Sequence, residues 1–388
     1  MKIVIAPDSY KESLSALQVA QAIEDGFRQV FPAALYHKLP MADGGEGTVQ
    51  AMLDALGGQR REATVRGPLG ETLSASYGLT ADGVAVIEMA AASGLALLPP
   101  ARRNPLLTGS HGTGDMIRDA LDAGARRFVL GIGGSATNDG GAGMLQALGA
   151  RLLDAEGRDL PAGGAALARL ARLDLSGLDP RLAACRIDVA CDVDNPLIGP
   201  RGASAVFGPQ KGATPEMVAE LDAALAHFAV LMEAASGVAA AGEAGAGAAG
   251  GMGAALLACL GGRLRSGSAI VAEAVGLDAA LADADLALTG EGRIDSQSVQ
   301  GKTPIGVARV AQRYGVPVLA IGGCLGAGSE LTHAHGLDAV FAAVSRPCSQ
   351  EQALAEAADN VSRAARNAAA ALALGMKLSS QKRSKSGT

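Results

Sequence analysis

With 388 residues, 49% of them hydrophobic and 19% charged, the chain is too long for one ordinary core and predicts two folded domains. A formal net charge of −6 without clustered Lys and Arg excludes nucleic acid as the expected partner, but a few local cations would still suit an anionic small molecule. Five cysteines, at 185, 191, 259, 324 and 348, form no Cys-x-x-Cys pair and read as reduced thiols of a cytoplasmic protein, and the Ala/Gly-rich 241–262, interrupted by Glu243, makes a poor membrane span.

In chain order, "KIVIAPD" reads as a buried strand rather than a secretory leader. A helix follows in "SLSALQVAQAIEDGF", opened by a capping box of Ser15 and Gln18, with Val19, Ile23, Phe27 and Val30 as its apolar stripe. After "LPMADGGEG" a second helix turns Val49, Met52, Leu53 and Leu56 inward and stops at Gly57. The stretch 65–83 departs from this rhythm as a hairpin, and "AVIEMA" is a strand. "HGTGDMIRDALDAG" is a loop and helix, "RFVLGIGG" a strand, "AGMLQALGA" a helix and "RIDVACDVDNP" a strand that stops at polar residues. "DLALTGEGRID" and "VPVLAIGGC" repeat the strand pattern, so the class is α/β with a largely parallel sheet. The Ala/Gly run 235–255 reads as flexible or low-complexity, and the final "KLSSQKRSKSGT" as a frayed basic tail.

The polar loops "DSYKES", "GGSATND", "DVDNP" and "GEGRID" each follow a strand, the position at which open α/β sheets bind ligands. "GIGGSATNDGG" (131–141) packs five glycines beside Ser135, Asn138 and Asp139, and bare backbone there, at Gly133 and Gly134 above all, is suited to an anion; the bland reading is a tight strand-to-helix turn. Lys11, after Asp8 and Ser9, brings an ammonium to a strand end, with Lys211, Arg293 and Lys302 as further cations for the same work. In "ADGGEGT", Asp43, Gly44, Gly45 and Glu46 open a helix, either as acids favoured at that end or as a substrate contact and base. Asp192 and Asp194 would share one face of a strand, and Glu291, Arg293 and Asp295 cluster in "TGEGRID", as oxygen ligands or as turn caps.

Several patterns fail their own tests. "GAGAAG" (245–250) fits G-x-G-x-x-G but has no strand before it, and "GIGGSA" has Ala136 where the third glycine belongs. "SVQGKTP" ends like a P-loop, yet Ser296 stands at its first glycine and no strand directly precedes it. No Gly-x-Ser-x-Gly surrounds Ser9, and the histidines do not cluster, which removes acyl transfer and zinc.

The stretches "MKIVIAPDSYKESLSALQVAQAIEDG", "PMADGGEGT", "GIGGSATNDGGAGMLQALGA", "CDVDNPLIGPRGASAVFGPQKGA" and "LTGEGRIDSQSVQGKTPIGVA" resemble the bacterial type I glycerate kinase family over residues 1–375. The resemblance implies transfer of the ATP γ-phosphoryl group to the 2-hydroxyl of D-glycerate, with Mg²⁺. It also implies two α/β domains with the active site in the cleft between them: a discontinuous Rossmann-like domain with a parallel sheet over 1–64 and 285–375, and a second domain over 65–284, with 376–388 a disordered tail. Phosphorylation at the 3-hydroxyl or of another small hydroxy acid, and a nucleotide-binding Rossmann protein without transfer chemistry, are the alternatives. The partners implied are D-glycerate and ATP, with no nucleic acid and no membrane, for a monomer or homodimer.

Chemistry then distributes roles. Lys11 and the backbone of 133–135 hold anions, and Mg²⁺ is held mainly by nucleotide phosphates with help from Asp192 or Asp295. The base is sought among Asp43, Asp139, Asp192 and Glu291. Asp192 is given to the metal, Glu291 is paired with Arg293, and Asp139 would oppose phosphate, which leaves Asp43.

Overall fold

A computed structural model of the protein describes residues 1–386; residues 387 and 388, the end of the expected tail, lie outside the described residues. The strands in chain order are β1 (Lys2–Ile5), β2 (Leu35–Lys38), β3 (Gly58–Arg66), β4 (Thr72–Thr80), β5 (Val84–Glu88), β6 (Arg127–Gly131), β7 (Arg151–Leu153), β8 (Arg172–Asp174), β9 (Arg186–Ala190), β10 (Arg263–Arg265), β11 (Leu286–Ile294), β12 (Val318–Leu325) and β13 (Ala339–Ala342). They divide between two compact units: Met1–Asp43, Gln50–Ala55 and the described chain from Val271 on; and Gly44–Val49 with Leu56–Ile270.

The first unit holds a five-stranded sheet in the order β13-β12-β11-β1-β2, parallel throughout. From β1 the chain moves outward to β2, and later from β11 outward through β12 to β13, so the strand order reverses between β1 and β11. Ile3, Ile5, Leu286, Leu288 and Ile321 of this sheet pack with Val19, Ile23 and Phe27 of the helix Ala16–Arg28 and with Val361 and Ala365 of the helix Ala357–Ser386. The capping box forms as the sequence predicts, with Ser15 N–H donating to Gln18 Oε1 (2.8 Å) and Gln18 N–H to Ser15 Oγ (3.3 Å).

The second unit holds a mixed sheet in the order β10-β9-β6-β5-β4-β3, parallel from β10 to β5 and antiparallel across β5, β4 and β3, with a separate antiparallel pair of β7 and β8. Its core gathers Ile87, Phe128, Leu130, Met144, Leu225 and Phe228.

Four expectations change. The boundary at 64/65 would cut β3, which pairs with β4 along its whole length, so the entire hairpin stays in the second unit. Residues 271–284 join the first unit, where the helix Leu277–Leu281 packs against Thr303–Arg313. The run 235–255, expected to be flexible or low-complexity, is packed over its second half: 245–255 is buried, and the helix Ala248–Leu260 begins with a kink at 249–251. Gly250 explains the composition there, since a Cβ would lie 2.0 Å from Thr137 O and its φ is +66°, a conformation glycine alone adopts freely. Finally, the last helix runs to Ser386 over most of the segment read as tail, where Lys, Leu, Gln and Arg are good helix formers. Among the described residues no helix is long and apolar enough to cross a membrane.

Candidate active site

In the first unit, functional groups gather at the carboxyl ends of β1 and β11, where the strand order reverses; ligands of open α/β sheets bind at that point. The Asp8 N–H donates to Gly290 O (2.8 Å), which locks the turn after β1 onto β11. Its carboxylate accepts from Ser9 N–H (2.7 Å) and from Thr303 Oγ1 (2.7 Å), at the start of the helix Thr303–Arg313. Glu291, 8% exposed, accepts from Ser298 Oγ and lies 3.4 Å from Lys302 Nζ.

Burial raises the Asp8 carboxyl, the charge of Asp43 raises it further, and the Thr303 and Ser9 hydrogen bonds resist. Glu291 is raised by burial, against the pull of Ser298 and Lys302, with Asp43 again adding to the rise. Asp8, Asp43 and Glu291 therefore form one electrostatic group with Lys302 as a counter-charge. Tyr10, buried next to it, donates its hydroxyl to Ile321 O (2.6 Å), while Lys11 is exposed.

Two expectations about "GEGRID" are corrected. Glu291 and Arg293 lie on β11 itself, because the strand keeps its pairing with β12 as far as Ile294. Arg293 does not pair with Glu291: its Nε meets Asp295 Oδ2 at 3.0 Å, and Asp295 also accepts from Gln297 N–H (2.9 Å). β11 further supplies a strand before "GKT", so the P-loop reading fails on Ser296 rather than on a missing strand; Lys302 and Thr303 turn to Glu291 and Asp8.

In the second unit, the loop after β6 has two faces. Gly133 and Gly134 are exposed, and a Cβ on Gly133 would meet nothing within 4 Å, so this backbone is open. The rest is structural. Asp139, 1% exposed, accepts from Ser110 N–H (2.9 Å), Ser110 Oγ (2.8 Å), Gly141 N–H (3.1 Å) and Gly143 N–H (3.1 Å), and so fixes the start of the helix Ala142–Ala147. Asn138, fully buried, donates to Ser204 Oγ (2.9 Å). The expected polar tip of Asn138 and Asp139 thus points into the protein, where burial demands partners.

Lys211, 2% exposed, donates to Ser135 Oγ and Thr137 O, both at 2.7 Å. Burial pulls its pKa down to about 7, opposed by the charge of Asp139.

"ADGGEGT" divides between the units, with Asp43 in the first and Gly44–Val49 in the second. Gly44 adopts φ +88°, and a Cβ there would sit 2.3 Å from that of Ala190. The acid that caps the helix Thr48–Leu56 is Glu88, which accepts from Gly47 N–H (3.1 Å) and Val49 N–H (2.9 Å), while Glu46 is exposed. β9 ends at Ala190, so Asp192 and Asp194 lie in the following loop and not on one strand face. Asp192 accepts from Gly267 N–H (3.3 Å), and Asp194 pairs with Arg201 (3.1 Å). Among the described residues, no three His, Cys, Asp or Glu side chains assemble as a metal site.

Sequence reasoning passed over Thr303, Ser298 and Glu88. In "GRIDSQSVQGKT" Thr303 directly follows Lys302 and Ser298 lies three positions past Asp295; Glu88 carries a signal only as an acid ending an apolar strand.

Comparison with known proteins extends this geometry. The model of the glycerate kinase family matches residues 3–373. The chain is 57% identical to the glycerate 2-kinase of Escherichia coli K12 over 378 residues, 97% of this chain and 99% of that one. It is 57% identical to the glycerate kinase of Bacillus subtilis 168 over 375 residues, 96% and 98% of the two chains. A crystal structure assigned to glycerate kinase 2 of Salmonella typhimurium LT2 superposes with a TM-score of 0.90 at 60% identity, covering 97% of this chain and 99% of that one. A family model over residues 3–373, relatives at 57% identity over almost the whole chain and a matching fold make this chain a member of the glycerate kinase family.

Proposed function

We propose that the protein transfers the γ-phosphoryl group of ATP to the 2-hydroxyl of D-glycerate, releasing 2-phospho-D-glycerate and ADP. The observation that carries this reading is the likeness to a glycerate 2-kinase over almost the whole chain, together with a family match over residues 3–373 that spans Asp8, Asp43 and Glu291. Phosphoryl transfer needs positioned charges more than covalent chemistry, and such a group beside Lys302 supplies them.

Asp43 accepts the hydroxyl proton of glycerate as transfer proceeds, its charge already felt by both Asp8 and Glu291. Lys11 and the open backbone of Gly133 and Gly134 meet anionic groups of the substrates. Mg²⁺ fits this chain as a companion of the nucleotide phosphates, since it needs only one or two protein carboxylates. Asp8, buried against two other acids, has the most repulsion for a cation to relieve. Asp295 is committed to Arg293 and Gln297, and Asp192 is the remaining expected ligand. When bound, the metal neutralises charge on the phosphate oxygens. Asp8→Asn should raise the Mg²⁺ concentration needed for half-maximal rate; an unchanged requirement removes Asp8 from this role.

The active site expected between the two domains belongs to this proposal, with closure keeping water from the γ-phosphoryl group. Its support is the family resemblance, and compaction in small-angle scattering with both substrates tests it. The function itself is tested by ADP release with D-glycerate and by NMR of the product. 2-Phosphoglycerate is the expected product; 3-phosphoglycerate, or no ADP, overturns the assignment.

A further inference from the structure

We propose that the adenosine part of the nucleotide occupies a cavity of about 400 Å³ in the first unit, at the carboxyl ends of β11, β12 and β13, with Lys11 and Arg293 on its phosphate side. This deepens the phosphoryl-transfer reading and rests on it. Four observations converge.

The first is position. Gly292 and Arg293 come from the end of β11, Gly323 and Cys324 from the end of β12, and Ala343 and Val344 directly follow β13. Parallel sheets present ligand crevices on this edge and not the other.

The second is size and surface. A drug-sized ligand needs a pocket of roughly 300–1,000 Å³, mostly apolar with a few placed polar groups. Ala343, Val344, Ala353 and Leu354 make an apolar wall suited to a flat base. Asn360, 5% exposed, brings an amide to the same wall for hydrogen bonds to the base edge. A three-carbon acid would leave most of this volume unfilled and the apolar wall without a partner.

The third is charge. Lys11 and Arg293 line the cavity, and both are exposed there. A lining without carboxylates that includes Lys11 and Arg293, the latter with its Nε against Asp295, matches a neutral base joined to an anionic tail, and no other part of the substrate pair has that character.

The fourth is adjacency along the chain. Gly292 follows Glu291, and Tyr10 and Lys11 follow Asp8 by two and three positions. Phosphates that leave the cavity past Lys11 and Arg293 therefore arrive at the acidic group where transfer is proposed.

Cys324 provides the probe, since it lines the cavity and is an exposed free thiol. In a Cys348→Ser background, which removes the other exposed thiol, Cys324 is alkylated with iodoacetamide and followed by peptide mass. ADP with Mg²⁺ at ten times its Kd should slow the labelling about tenfold, by mass action, while D-glycerate should leave it unchanged. Ala353→Trp, which fills the cavity, should raise the KM for ATP at least tenfold with the KM for D-glycerate within about twofold; Lys11→Ala should move the KM for ATP in the same direction. Calorimetry with ADP separates the two levels of failure. If wild type binds ADP but Cys324 labels at an unchanged rate, the nucleotide lies elsewhere and this proposal is overturned while phosphoryl transfer stands. If wild type binds no adenine nucleotide, both are overturned. The labelling experiment needs no cavity-filling variant, so it decides the question even if Ala353→Trp does not fold.

Discussion

The ammonium of Lys211 lies 2.7 Å from Ser135 Oγ and 2.7 Å from Thr137 O, so one buried cation holds both sides of the loop after β6. Burial lowers its pKa from the ordinary 10.5 to about 7. Between those values the unfolded chain binds more protons than the folded one, so folding stability must rise with pH across that window and be flat below it. The total effect is on the order of a few kcal/mol. Denaturant titrations at pH 7, 8 and 9 should show the rise in wild type and its loss in Lys211→Met, which keeps the apolar stem without the charge. Parallel slopes in the two proteins would mean the lysine titrates normally.

Asp43→Asn preserves shape while removing the proton acceptor. A loss of about 10²–10⁴-fold in kcat is expected, with substrate binding retained. Steady-state kinetics at saturating ATP and D-glycerate measures it. A kcat near wild type would leave Asp43 as an electrostatic neighbour of Asp8 and no more.

Glu88 bonds two N–H groups at the start of the helix Thr48–Leu56 from a strand far away in sequence. Glu88→Ala leaves both without that acceptor and should cost about 1–2 kcal/mol of stability, the usual loss for a helix cap. Glu88→Gln keeps an acceptor oxygen and should recover most of it. Urea midpoints at constant m compare the three proteins; equal midpoints would show that water replaces the carboxylate without penalty.

Gly250→Ala forces a methyl against Thr137 O in a backbone conformation unfavourable to alanine. Overpacking of this kind costs about 1–3 kcal/mol. Thermal unfolding should show a clear drop in Tm, and an unchanged Tm would mean that the kink at 249–251 yields easily.

Local features were legible in the sequence because their causes are local. The Ser15–Gln18 box and the stop at Gly57 each depend on residues within one turn, and both appear in the structure. Asp139 was not legible as a structural acid, since two of its four donors belong to Ser110, 29 residues earlier. Nor could spacing reveal that Thr303 would reach Asp8 across 295 positions. The run 235–255 misled by composition alone. Small residues signal flexibility when nothing packs on them, but Gly250 carries a carbonyl that accepts from Gly140 N–H (2.9 Å), and that partner is invisible along the chain.

The position of β1 between β2 and β11 has a consequence for biosynthesis. Ile3 pairs with Leu286, so β1 leaves the ribosome long before its second neighbour, β11, exists. The second unit is almost continuous in sequence and can assemble during that wait, because domains fold as units while synthesis proceeds. Until β11 arrives, β1 offers an unpaired edge of Ile3, Val4 and Ile5 to any passing strand. The nascent chain is therefore most exposed to misassembly in the interval between completing the second unit and making β11.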